Sequence, residues 1–201
     1  MLDPELSRLT ATSVYLVVIG FVFVESGLLI GFALPGDSLL FGAGLLTADP
    51  ASGVSLPVLA TAVTVAAVTG DAVGYATGRR LGRPWVQRRV ARGRLGAAHL
   101  ARAERFYARW GAWAVVIARW IPWVRTFTPI LAGVSRMPYR RFLAANVIGA
   151  LTWGAGLVVL GHVAASVPAV RTAAYVVAGT AVAASLVVPA AAWARRRWAG
   201  A

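Results

Sequence analysis

Two carboxylates and two guanidinium groups, Glu25, Asp37, Arg119 and Arg125, stand in stretches otherwise dominated by aliphatic, aromatic and glycine residues. At bilayer depth each such group costs about 2.5–3.5 kcal/mol on insertion scales, and more without a partner. The combination of types points to a definite chemistry. A guanidinium stays charged when buried and grips phosphate through parallel N–H donors. A carboxyl is pushed toward its neutral form by desolvation and toward its charged form by a neighbouring arginine, so it can take a proton on one side and release it on the other. Protonated acids would free the arginines for an anionic headgroup; deprotonated acids would pair with them and expel it. Against this stands a plainer reading, two static salt bridges that hold two segments together. Buried pairs stabilise poorly relative to apolar packing, so that reading leaves the charges without a purpose.

Other chemistries are poorly served. His99 and His162 are isolated, no His/Asp/Glu cluster has ligand spacing, and cysteine is absent. No metal, cofactor or disulfide framework is expected. A lipid phosphatase would want histidines beside the arginines as nucleophile and acid; a metal-dependent phosphotransferase would want several aspartates on one helix. Neither pattern occurs, so the chain is not expected to be an enzyme. Asn146, in an apolar run, reads as a hydrogen-bonding contact between helices.

The elements that carry these residues follow from hydropathy. The 201 residues are 59% hydrophobic with a mean hydropathy of +0.71, which excludes an ordinary soluble domain and points to an all-α polytopic membrane protein, a single domain over 1–201. Runs at about 54–78, 142–164 and 172–194 are long enough to cross ~30 Å of hydrocarbon. Two further runs are broken, 13–48 by Leu34-Pro35-Gly36-Asp37 and 111–135 by Arg119, Pro122, Arg125 and Pro129. The stretch Ser38 to Ala48 reaches only ~16 Å as a helix, half the bilayer, so 13–48 is expected to be a broken segment or hairpin with its tip at Pro35-Gly36-Asp37. Residues 111–135 are expected to form a re-entrant hairpin, because irregular backbone at depth needs protein or a wet cavity to satisfy it. Three to four full spans plus two opposed hairpins suggest an inverted repeat, on hydropathy alone.

All 20 basic residues are arginine, the net charge is +13, and ten arginines fall between Arg79 and Arg109 with Glu104 the single acid among them. The positive-inside rule makes 79–110 a basic cytoplasmic loop, and Arg136, Arg140, Arg141 and the basic tail 195–201 agree with the same orientation. Anionic phospholipids are the expected partners of the basic loop. Nucleic acid is excluded, since no soluble module is left to bind it. Within 83–110 an interfacial helix and a solvated loop stand as equal readings. Asp3 and Glu5 beside a lone Arg8 give the wrong charge for a signal peptide, so no cleavage is expected.

Two motifs complete the picture. In Gly70-Asp71-Ala72-Val73-Gly74-Tyr75-Ala76-Thr77-Gly78-Arg79-Arg80-Leu81-Gly82 the glycines recur every four residues, a helical face suited to close backbone approach. Asp71 interrupts that seam and is expected either to be hydrated or to pair with an arginine. The second motif is Arg119-Trp120-Ile121-Pro122-Trp123-Val124-Arg125-Thr126-Phe127-Thr128-Pro129-Ile130-Leu131-Ala132-Gly133, trailed by Met137-Pro138. Arg119 and Arg125 flank Pro122 and would converge on one phosphate if the chain bends there, with Trp120, Trp123 and Phe127 as an apolar wall or as packing aromatics.

This second motif, the Gly-Asp-x-x-Gly-Tyr-x-x-Gly-Arg block at 70–79 and the acid-then-Pro-Gly-acid arrangement of Glu25 and Pro35-Gly36-Asp37 together resemble the signatures of the DedA family, whose members share the VTT domain. The resemblance covers about residues 20–155. It implies a transporter of the bacterial cytoplasmic membrane that uses the proton motive force to return a polyprenyl phosphate carrier lipid, such as undecaprenyl phosphate, to the cytoplasmic leaflet. Two embedded acids and two arginines of the second hairpin are needed in that family; by motif they fall on Glu25 and Asp37 for proton coupling and on Arg119 and Arg125 for the phosphate. Asp71, Pro35, Pro122, Pro129, Trp120 and Trp123 are the supporting residues. At position 37 the family's frequent Glu is Asp, one methylene shorter. The implied partners are the polyprenyl phosphate and protons, with a homo-oligomer left open. A proton-coupled small-ion exchanger and an energy-independent phospholipid scramblase are the alternatives.

Overall fold

The computed structural model describes residues 4–27, 36–82 and 97–167, with the single positions 84, 169, 172, 173 and 176. Among the described residues the chain is helical and contains no strand. Helix α1 is Pro4–Gly27 and α2 is Gly36–Leu46. Helix α3, Leu56–Gly82, ends in a π-helical turn over Gly78–Gly82. Helix α4 is Ala97–Ala118, α5 is Pro122–Val134, and α6, Tyr139–Ala164, contains a π-helical segment at Leu151–Ala155. The fold is that of an all-α membrane protein. Helices α3 and α6, of 27 and 26 residues, are long and apolar enough to cross a bilayer. The tip residue Pro35, most of 83–96, nearly all of the expected span 172–194 and the tail 195–201 lie outside the described residues.

Of the two broken runs, the first has its expected break at 34–37 beside residues 28–35, which lie outside the described residues. The second is interrupted twice. Gly111, at φ 52 and ψ −130, takes a conformation open to glycine and bends α4. The helix then closes in tight turns, Arg119 N–H to Val116 O at 3.3 Å and Trp120 N–H to Ile117 O at 3.1 Å. Ile121 is extended, as the residue before a proline prefers, and Pro122 opens α5 at its first helical position, where no N–H is needed. Of the two readings for 83–110, the residues from Ala97 onward are helical.

The described residues form two compact units, one from positions within 1–18, 33–60 and 157–201, the other from positions within 19–32 and 61–156. In the first, α2 meets α6 glycine to glycine: a Cβ on Gly44 would lie 2.2 Å from Val158 O, and one on Gly161 would lie 2.2 Å from Phe41 O. Beside this crossing Thr47 Oγ1 lies 2.6 Å from Gly44 O and 2.8 Å from His162 Nδ1. One hydroxyl hydrogen cannot serve both, so the threonine donates to the carbonyl and His162 donates from Nδ1.

In the second unit the glycine ladder of α3 is the packing seam its spacing predicts. A Cβ on Gly70 would meet Phe23 O at 2.8 Å on α1, whereas one on Gly78 would meet Ile130 O at 2.1 Å on α5. Steps of four residues advance 40° beyond a full turn at 100° per residue, so the seam winds from one neighbour to the next. Tyr75, Val115, Ala132, Met137, Phe142 and Ala145 form the apolar core there, and the rings of Tyr75 and Phe142 stack at 4.7 Å.

Candidate functional site

The second unit gathers four charged side chains and one amide around one small cavity or against its lining, all buried except Arg125, which is part-buried. Glu25 comes from the last turn of α1, Asp71 from the middle of α3, Arg119 from the turn after α4, Arg125 from the first turns of α5 and Asn146 from α6. The Gly27–Gly70 contact explains why the first two are neighbours. A Cβ on Gly27 would sit 3.2 Å from Gly70 O, so the backbones of α1 and α3 touch one residue from Asp71 and two from Glu25.

The charges are paired. Arg125 Nη2 donates to Glu25 Oε1, and Arg119 Nη1 donates to Asp71 Oδ2. Arg119 Nη1 also donates to Asn146 Oδ1 at 2.6 Å, while Asn146 Nδ2 donates to Val68 O at 3.1 Å. Arg119 is buried to 5% exposure, and its Nε has no hydrogen-bond partner among the described residues. Gly149 makes room for it: a Cβ there would come within 3.0 Å of Arg119 Cδ. The arginine is therefore wedged between α3 and α6, its stem on a glycine and its head on an acid and an amide.

Both guanidiniums also lie against one indole. The Trp153 ring centroid is 5.3 Å from Arg119 Cζ and 4.6 Å from Arg125 Cζ, inside the range of cation–π attraction. The two cations can be no farther apart than the sum of those distances, so they do converge. Glu25, Asp71, Arg119, Arg125, Thr126, Thr128 and Trp153 line a cavity of about 20 Å³, room for about one water. Pro129, buried inside α5, lacks the N–H that would cap Arg125 O, which places a break in the ladder beside the cluster.

Not every expected residue is in this site. Glu25, Arg119 and Arg125 are. Asp71, expected as a supporting residue that is either hydrated or paired, is paired and stands directly on Arg119. Asp37 sits in the first turn of α2, in the other unit. Trp120 and Phe127 do not line the cavity: they face outward, 55% and 45% exposed, because the turn before α5 and the outer face of that helix carry them away. Trp123 lies within α5; its side chain, like Pro35, is outside what the structure describes. The aromatic wall is Trp153, which the sequence reading missed. Its one available signal was the helical spacing of Asn146, Gly149 and Trp153, a small-and-polar face on an otherwise apolar span.

Residues 10–163 match the family described as VTT domain. The chain is 35% identical over 173 residues to Protein DedA of Escherichia coli, covering 85% of this chain and 78% of that protein. It is 41% identical over 150 residues to an uncharacterised membrane protein of Mycobacterium tuberculosis, covering 75% of this chain and 65% of the relative. A second uncharacterised membrane protein of that organism is 39% identical over 164 residues, covering 81% of this chain and 74% of its own length. The chain thus spans a little under two thirds of the first mycobacterial relative's length and about three quarters of the other two relatives. No solved structure matches.

Proposed function

The chain belongs to the VTT-domain, or DedA, family of membrane proteins, and we propose that it is a transporter that moves a lipid phosphate of the polyprenyl phosphate class across the bacterial cytoplasmic membrane, driven by the proton gradient. It makes and breaks no covalent bond in this reading. The supporting observation is that two arginines, one buried and one part-buried, are paired with two buried acids around a cavity too small for a phosphate group. A pair of cations that converge on one point is suited to a dianion, and here each is occupied by a carboxylate. The arrangement is then the closed form of a phosphate dock.

The steps follow from electrostatics. Protonation of Glu25 and Asp71 removes the charge that holds Arg125 and Arg119, and a phosphate headgroup takes the guanidiniums in exchange. Trp153 keeps both cations attracted to one place while they change partners. Loss of the protons to the other side restores the ion pairs and displaces the phosphate. Glu25 and Asp37 keep the proton-coupling roles that the family resemblance implies, and Asp71 joins them by its contact with Arg119. The basic segment from Arg79 onward faces the cytoplasm.

Proteoliposomes loaded with a defined polyprenyl phosphate test this. Uptake is expected to rise when a proton gradient is imposed and to fall to background in Glu25→Gln and Arg119→Ala protein of normal folding. Transport unchanged in both variants would remove the dock. Transport that persists after the gradient is collapsed would favour an energy-independent scramblase, and a proton-driven flux of a small ion without lipid would favour an exchanger.

A further inference from the structure

We infer that a second, separate anion site lies at the basic end of α3, a groove that takes the headgroup of a lipid phosphate monoester. Arg79, Arg80, Arg136, Tyr139, Ala72 and Ala76 are among the residues that line it, in a space of about 870 Å³. The groove and the buried cavity share no lining residue. Among the described residues that line the groove there are three guanidiniums and no carboxylate.

The groove has the form of an amphiphile. From Arg80 back to Ala72 the helix advances ~12 Å, passing from guanidinium to bare alanine, that is, from headgroup chemistry to chain chemistry. One of its cations is held in position. Arg79 Nη1 donates to Tyr75 Oη at 3.0 Å, and Tyr75 Oη donates to Met137 O at 2.5 Å. The hydroxyl thus ties the arginine of α3 to the turn that follows α5.

A second observation is independent of the groove's shape. That turn closes α5 with paired bonds, Met137 N–H to Ala132 O at 3.1 Å and Arg136 N–H to Gly133 O at 3.2 Å, the pattern in which the left-handed position is usually glycine. Here it is Arg136, at φ 57, the one non-glycine with positive φ among the described residues. A side chain kept in a conformation that glycine fills more cheaply points to a use for that side chain. It borders the groove. A phosphate monoester offers three unsubstituted oxygens to several guanidinium donors, whereas a phosphodiester offers two and a bulky second substituent.

The test titrates the purified full chain in detergent micelles with phosphatidic acid, phosphatidylglycerol and inorganic phosphate, and reads bound lipid by mass spectrometry of the intact complex. Phosphatidic acid is expected to bind about tenfold tighter than phosphatidylglycerol. Arg136→Gly is expected to weaken it about tenfold while leaving Tm unchanged or raised, and Arg80→Gln, on the exposed rim, to weaken it severalfold. Arg119→Ala, which takes a cation out of the buried dock, should bind phosphatidic acid like the parent even where it abolishes transport, which separates this site from the transport reading. Undiminished binding in both arginine variants would overturn the inference. So would competition by inorganic phosphate at the same concentration as the lipid, or loss of lipid binding in Arg119→Ala.

Discussion

The two units solve one packing problem in one way and then diverge. In the first, short helix α2 crosses α6 at Gly44 and Gly161; in the second, short helix α5 crosses α3 at Gly133 and Gly78. In each crossing an added Cβ would fall within 2.2 Å of a carbonyl oxygen of the opposite helix. What lies near the crossing differs. The first unit has Thr47 bonded to His162; the second has Glu25 on Arg125 and Asp71 on Arg119. Since the glycine contact of α2 with α6 is as close as that of α5 with α3, and the polar contact beside it is Thr47 with His162, ion pairs are not a requirement of that packing. The charges of the second unit need another explanation, and a binding role supplies it.

The sharpest way to break this contrast is to remove charge without removing volume. Asp71→Asn strands Arg119 in a buried site, and a loss of about 3–5 kcal/mol is expected. Replacing both partners, Asp71→Leu with Arg119→Met, should return most of that stability, because well-packed apolar residues are often as good as a buried pair. Transport should not return with it. Thermal unfolding and proteoliposome uptake on the same preparations decide the matter, and a double variant that regains uptake would make the pair a structural fastening after all.

How far the sequence reveals this site depends on the cost of each residue. Glu25, Arg119 and Arg125 are legible because a charge in an apolar run is expensive wherever it lies. The glycine seam of α3 is legible because its period is local. Asp71's partner was open between water and arginine, since the pairing joins residues 48 positions apart. Trp153 was hidden for a different reason. A tryptophan in a membrane helix is ordinary, and only the third dimension brings two cations onto it. The π-helical turns at Gly78–Gly82 and Leu151–Ala155 leave no mark in hydropathy either.

Glycine substitutions test the shared half of the comparison. Gly78→Ala and Gly161→Ala each force a methyl into an opposing carbonyl, 2.1 Å and 2.2 Å away, and each should cost about 1–3 kcal/mol or more by overpacking. Similar losses in both units are expected; a loss confined to one would mean the crossings are not equivalent. Gly149→Ala is milder, because its Cβ meets the flexible stem of Arg119 at 3.0 Å and the stem can move. Stability should fall by less than about 1.5 kcal/mol, yet displacement of the guanidinium from Asp71 and Asn146 should cut uptake about tenfold. Unchanged uptake would show that the dock tolerates a shifted Arg119.

The smallest effect is expected on the first unit's side of the contrast. Thr47→Val removes the acceptor of His162 Nδ1–H and the donor to Gly44 O, worth about 1 kcal/mol in sum for a part-buried hydroxyl. The carbonyl keeps its place in the helix, and the glycine crossing beside it is untouched, so the fold should hold. Transport at saturating gradient should not change, since no carboxylate or guanidinium is moved. A strong transport defect from this substitution would mean that the Thr47–His162 contact does more than pack. The two glycine crossings would then differ in the kind of polar group that each sets beside it for function, and no longer in whether they have one.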